Sequence, residues 1–130
     1  MRCGVCGLLL VVASGCGGSR VAPPSNWTHK NLVEHLEQKG IKAVAELDTR
    51  NTTDEAIAAG FYENEVKASS PSVLVVLCRG SSAATEHVNE LGAGAFSYGH
   101  FAIGPWPKKE LREKDAEFLR RIKAATVQGR

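Results

Sequence analysis

Long hydrophobic runs are missing from this sequence. A helix that crosses a bilayer needs ~20 apolar residues, and the longest mostly apolar stretch, Gly4 to Ala13, is about half of that before Ser14, Gly15 and Gly17 interrupt it. A spanning anchor is therefore not expected. An excess of charge of one sign is missing too: 16 Lys and Arg face 14 Asp and Glu, a formal net charge of +2, which argues against a dedicated nucleic-acid binder. There is no internal repeat and no low-complexity tract outside a short segment near residue 20, so solenoid and collagen-like chains are excluded. Of the 130 residues, 43% are hydrophobic and 23% charged, a balance that excludes intrinsic disorder and fits one globular domain of ordinary size.

The N-terminal run has the form of a secretory signal: a basic start at Arg2, an apolar centre through Leu8, Leu9, Leu10, Val11 and Val12, then small residues. The segment Val12-Ala13-Ser14-Gly15-Cys16 resembles the lipobox of bacterial lipoprotein precursors. That resemblance implies cleavage between Gly15 and Cys16, a diacylglyceryl group on the Cys16 thiol, and often acylation of the freed amine. Gly17 after the cysteine, rather than Asp, implies sorting to an outer membrane, with the domain facing the periplasm. Two or three acyl chains hold a soluble domain on a membrane almost permanently, since each buried methylene contributes ~0.8 kcal/mol. The domain division is then a signal peptide over 1–15, lipidated Cys16 and a flexible tether over 16–25, and one globular domain over 26–130. Cys3 and Cys6 form a C-x-x-C inside the segment to be removed and carry no chemistry. With Cys16 acylated, Cys78 has no partner within the chain, so burial rather than disulfides must hold the fold.

Residues 17–25 mix Gly, Ser and Pro without apolar periodicity, as a tether does. Thr28 can cap a helix from His29 to Lys39, with Gly40 just past its end and Leu32, Val33 and Leu36 as its buried stripe; Trp27 and Leu32 have the spacing of a hydrophobic staple. Ile41 to Asp48 alternates as a half-buried strand does. Thr53 to Ala59 reads as a short helix ended by Gly60, and 61–70 is open between an edge strand and a loop. Val73 to Cys78, continuous and β-branched after Pro71, reads as a central strand covered on both faces. Ser81 or Ser82 can cap a helix to Leu91, broken by Gly92 and Gly94; Ala95 to Ile103 reads as one strand stopped by Gly104-Pro105. A last helix runs from Lys108, or from a cap at Asp115, to Thr126. The expected fold is α/β or α+β, a three- or four-stranded sheet with helices packed on it, in the order α-β-(short α)-β-α-β-α.

Cys78 is the one residue in a catalytic-looking position. It ends the central strand and is followed by Arg79-Gly80-Ser81-Ser82 opening a helix, the place where open α/β sheets put ligands and where a helix N-terminus acidifies a thiol. The segment Val73 to Gly92, with Leu47-Asp48-Thr49-Arg50 and Gly60 upstream, resembles rhodanese-like domains, in which the cysteine carries a persulfide sulfur within a loop of backbone amides. The sequence departs from that pattern where the loop is shorter, where Ala83 or Ala84 replaces its late Arg, and where no His follows Gly60. Those departures favour a buried structural cysteine. Among the histidines, His29, His35, His87 and His100 have no shared ligand spacing, so no metal and no cofactor is expected. Gly92-Ala93-Gly94 leads into a strand and is a turn, not a phosphate cradle. Residues 108–130 hold eight basic and four acidic residues, against seven and ten over 16–107. This segment can meet anionic headgroups, but Glu110 with Lys114 and Glu117 with Arg121 have i,i+4 spacing and suit a solvated helix face better. Trp106, between two prolines, is either a recognition aromatic or a loop anchor. The sequence thus describes a lipid-anchored cell-envelope protein that binds or interacts, its partners being the membrane through Cys16 and an envelope protein or headgroups through 108–130. The alternative is an exported thiol enzyme that uses Cys78 for sulfur transfer.

Overall fold

The computed structural model describes residues 22–63, 71–106 and 112–127. The signal segment, Cys16, Gly17, the helix start expected at Lys108 and Glu110 of the expected Glu110–Lys114 pair lie outside the described residues. The described elements are α1 (His29–Gln38), β1 (Ala43–Leu47), β2 (Ile57–Glu63), β3 (Val73–Leu77), α2 (Ser81–Leu91), β4 (Phe96–Tyr98), β5 (Phe101–Pro105) and α3 (Glu113–Ala125). The strands form one antiparallel sheet in the order β1-β2-β3-β5-β4. The molecule is therefore a mixed α and β fold with five strands rather than three or four.

β3 occupies the centre, as its continuous apolar sequence predicts, and helices cover it on both sides. On the first face Leu32 and Leu36 of α1 and Phe118, Leu119 and Ile122 of α3 close over Phe61, Val73, Val75, Phe101 and Ile103. On the second face α2 brings Ala84, Val88 and Leu91 down on Ala58, Leu74, Val76 and Ala102. α1 begins where expected. The Thr28 backbone N–H donates to Asn31 Oδ1 at 2.8 Å, its hydroxyl donates to the same oxygen at 3.2 Å, and Gly40 beyond the far end has a φ of 86°. Packing starts upstream of the expected domain border, because Pro23 is already buried.

Two expectations are overturned. The short helix over 53–59 does not form. Thr52 and Thr53 turn the chain with their hydroxyls instead: Thr53 Oγ1 accepts from the N–H groups of Glu55 and Ala56, and Thr52 Oγ1 donates to the Asp48 carbonyl at 2.7 Å while accepting the Ala58 N–H at 2.9 Å. The Thr53 bonds are those of a helix cap, but the Ala58 N–H goes to Thr52 Oγ1 instead of a carbonyl four residues back and the Thr53 N–H turns to the Ala56 carbonyl at 2.8 Å, so no helix follows. From Ile57 onward the chain is strand β2, laid between β1 and β3. The single strand expected over 95–103 is a hairpin. Gly99 and His100 form a two-residue loop between Tyr98 and Phe101, and Gly99 supplies the positive φ, 58°, that such tight loops require. Asp115, expected as a cap, is the third residue of α3 instead. It is 2% exposed with Arg112 Nε 3.2 Å from its carboxylate.

Three histidines tie these layers together through backbone carbonyls. His29 Nε2 lies 3.1 Å from the Val75 oxygen in the central strand, His35 Nε2 3.1 Å from the Ala125 oxygen at the end of α3, and His100 Nε2 2.9 Å from the Trp27 oxygen ahead of α1. Burial pushes His29 below the ordinary histidine value of 6.5, only partly offset by the carbonyls of Val75 and Ile57. Protonation is thus harder in the folded chain than in the unfolded one. As pH falls through 6.5 the unfolded chain takes up the proton first, so the His29 contribution to stability is intact above that value and declines below it. Unfolding in urea across this range is expected to show that decline, and His29→Gln is expected to flatten it.

Candidate functional site

On the second face α2 packs on β3, β5 and β4 and reaches Ala58 of β2, while Pro71 and Trp106 lie over Gly60 farther along β2. Beside them is an open recess of about 380 Å³, lined by Glu46, Leu47, Asp48, Thr49, Arg50, Gly60, Tyr62, Pro71 and Trp106. The alternation of β1 places Glu46 and, just past its end, Asp48 on this face, and that of β2 places Gly60 opposite Glu46 and Tyr62 opposite Val44 on the same face. The Tyr62 hydroxyl donates to Glu46 Oε1 at 3.1 Å. Desolvation first, and the Glu46 carboxylate second, push the Tyr62 phenol above its usual range, so it stays a donor at neutral pH.

Asp48 shapes one wall. Its Oδ1 accepts the Arg50 N–H at 3.1 Å and its Oδ2 accepts from Asn51 Nδ2, so both oxygens hold the turn that presents Arg50. The opposite wall depends on the absence of a side chain at Gly60. A Cβ there would stand 2.8 Å from Pro71 Cβ, closer still to its Cγ, and 3.2 Å from Trp106 Cζ3. Trp106, left open by the sequence between recognition and packing, is half-buried against the second-face cluster and also forms part of the recess.

Asp48, Arg50 and Gly60, the upstream residues of the rhodanese-like pattern, do converge in space. Cys78 is not among the residues lining their recess. It sits in the second-face cluster with Ala56, Ala58 and Val76, 7% exposed, with Sγ 3.8 Å from the Val76 oxygen. Burial pushes the thiol up, the opposite direction to the thiolate that persulfide chemistry needs. The argument that ligands gather at the end of β3 also loses its basis, because that rule belongs to parallel sheets and β3 runs antiparallel to both neighbours. Among the described residues there is no group of three or more His, Cys, Asp or Glu placed to hold a metal ion, nor any helix long and apolar enough to cross a membrane.

Three of the cations of α3 are engaged on the protein itself. Arg121 pairs with Glu63 of β2 rather than with Glu117, and its guanidinium lies 5.7 Å from the centre of the Phe118 ring; Arg120 reaches Glu113 at 3.3 Å; Lys123 Nζ stands 5.9 Å from the Phe96 ring.

Chemically, the recess offers two carboxylates, one guanidinium, a threonine hydroxyl, a phenol held as a donor and an indole. Such a lining provides hydrogen-bonding and stacking groups for a polar ligand. Glu46 and Tyr62 do not stand out in the sequence as a site. The signal was a period of two on both sides of the 49–56 turn, hidden by the helix-like composition of 53–59. No protein-family model, curated protein or solved structure matches the chain. Gly60→Ala is expected to lower stability by ~1–3 kcal/mol, the usual penalty for forcing a methyl into a filled space, and to displace Trp106. Urea unfolding followed by tryptophan fluorescence checks both effects.

Proposed function

We propose that this is a lipid-anchored cell-envelope protein, acylated on Cys16 and held at an outer membrane facing the periplasm, whose domain acts by binding an envelope partner rather than by catalysis. The anchor rests on the Val12-Ala13-Ser14-Gly15-Cys16 segment. The binding role rests on one observation above all: the recess beside α2 on the sheet's second face is lined mainly by hydrogen-bonding and aromatic groups, with the thiol buried elsewhere. A recess of this make-up suits recognition of a polar partner.

Anchor and domain stand close together. Six residues, 17–22, separate Cys16 from buried Pro23, and a chain of that length reaches at most roughly 20 Å at ~3.3–3.6 Å per residue. A partner is therefore met near the membrane surface. Anionic headgroups remain the weaker choice of partner for the C-terminal segment, since Arg112, Arg120 and Arg121 each already face a carboxylate.

Expression of the full chain in a bacterium, with Cys16→Ser alongside, tests the anchor. The expected result is a membrane-bound product whose intact mass begins at Cys16 and includes acyl chains, and a Cys16→Ser product without them. An unmodified soluble wild-type product would refute the anchor. For the binding role, the folded domain is expected to protect Cys78 from a thiol-specific maleimide at neutral pH. Rapid labelling without unfolding would instead support the thiol enzyme.

A further inference from the structure

We infer that the outer edge of β1, which pairs with no other strand among the described residues, pairs with the same edge of a second copy of this chain, joining two sheets across a twofold axis. Three features of that edge are complementary to themselves. First, the Asp48 N–H donates to the Ala58 carbonyl at 2.8 Å, which continues the ladder in which 47 faces 59 and 46 faces 60. In an antiparallel pair only alternate residues bond to a given neighbour, so Val44 and Glu46 bond inward to β2, and Ala43, Ala45 and Leu47 direct their N–H and C=O groups outward. An antiparallel partner centred on Ala45 sets Ala45 against its own copy and Ala43 against Leu47, and every outward backbone group of the strand is then used.

Second, this register matches a knob to a groove. Leu47 is 67% exposed, the most exposed large hydrophobic residue among those described. Beside α1 the same edge carries an apolar groove of about 430 Å³ lined by His29, Val33, Ala43, Ala45, Leu47 and Ala59. Residues directly opposite in an antiparallel pair share a face, so the Leu47 of one copy arrives over Ala43 and Val33 of the other, on the groove side. The symmetry makes the contact twice. Third, the charges are complementary: Lys42 at one end of the strand stands opposite Asp48 of the other copy, with Glu46 next to it. An edge without proline or bulge, carrying an exposed leucine, is the kind that pairs. A second copy of the chain supplies the partner for each of these features.

Sedimentation equilibrium of the full chain carrying Cys16→Ser tests the pairing. The expected result is an average mass that rises toward twice the 13.9 kDa of one chain with concentration. Leu47→Lys and Ala45→Pro are expected to return it to one chain, since a lysine charge removes the knob and proline removes an outward donor without touching the ladder to β2. Oxidation of Ala45→Cys is expected to give a disulfide-linked dimer on a denaturing gel, and oxidation of Ala124→Cys is not. Should Ala45→Pro fail to fold, Leu47→Lys decides, because its side chain is solvent-exposed. A chain that stays monomeric at every concentration overturns the inference, as does a dimer that survives Leu47→Lys. A monomer that floats with anionic vesicles through Leu47 overturns it as well and assigns the edge to a lipid surface.

Discussion

Where α2 packs, the two strands flanking β3 present only small side chains, and much of the molecule follows from that inequality. β2 and β5 turn Phe61, Phe101 and Ile103 toward α1 and α3, and turn Ala58, Gly60, Ala102 and Gly104 the other way. The large side chains need two helices to cover them and fill a deep layer. The small ones let α2 come down close: a Cβ on Gly104 would meet Leu91 Cβ at 2.8 Å. A single helix at that distance covers β3 and β5 but does not extend over β1, so the second face is left half open. The recess is thus a product of side-chain volume and not of a loop that happens to stand aside.

How far the sequence disclosed this architecture depended on whether local and tertiary preferences agreed. They agree in α1, where Thr28, the Leu32 and Leu36 stripe and Gly40 all favour the same helix, and in β3, where a run of β-branched residues has no use except burial on both faces. They disagree over 53–59. Asp54, Glu55 and four small or aliphatic residues read as helix, and Thr53 even bonds the next amides as a cap does, yet the Ala58 N–H is taken by the Thr52 hydroxyl and the place between β1 and β3 claims the rest. Reading 53–59 as helix makes Gly60 a helix stop instead of the floor under Trp106 and separates Tyr62 from its neighbour Glu46. The position of Cys78 at the end of the central strand was legible; its burial was not, because that depends on Ala56 and Ala58 arriving from the misread strand.

The histidines illustrate the same point from another side. Their spacing along the chain disfavours a shared metal, and nothing in that spacing shows that three of them reach for carbonyls on different elements. Each replaces a bond that two packed layers could not otherwise make, and each ring is also part of an aromatic series. His35 lies between Trp27 and Tyr98 at 5.5 and 6.1 Å, and His100 lies 4.5 Å from Phe101. A neutral imidazole serves this purpose well, being flat, able to donate, and uncharged in a place where a lysine or arginine would have to be desolvated.

The entry of the chain at Pro23 has a mechanical side. Pro23 rests on Gly99 in the β4–β5 loop, where a Cβ would collide with its ring, and four residues later the Trp27 carbonyl meets His100 in the same loop. A pull applied through residue 22 therefore loads the hairpin loop and α1 before it loads any bond of the sheet ladder. The N-terminal helix is positioned to peel away first, with β3 and its neighbours still paired. The domain would yield under tension in two stages, and the first leaves the recess on the opposite face of the sheet intact.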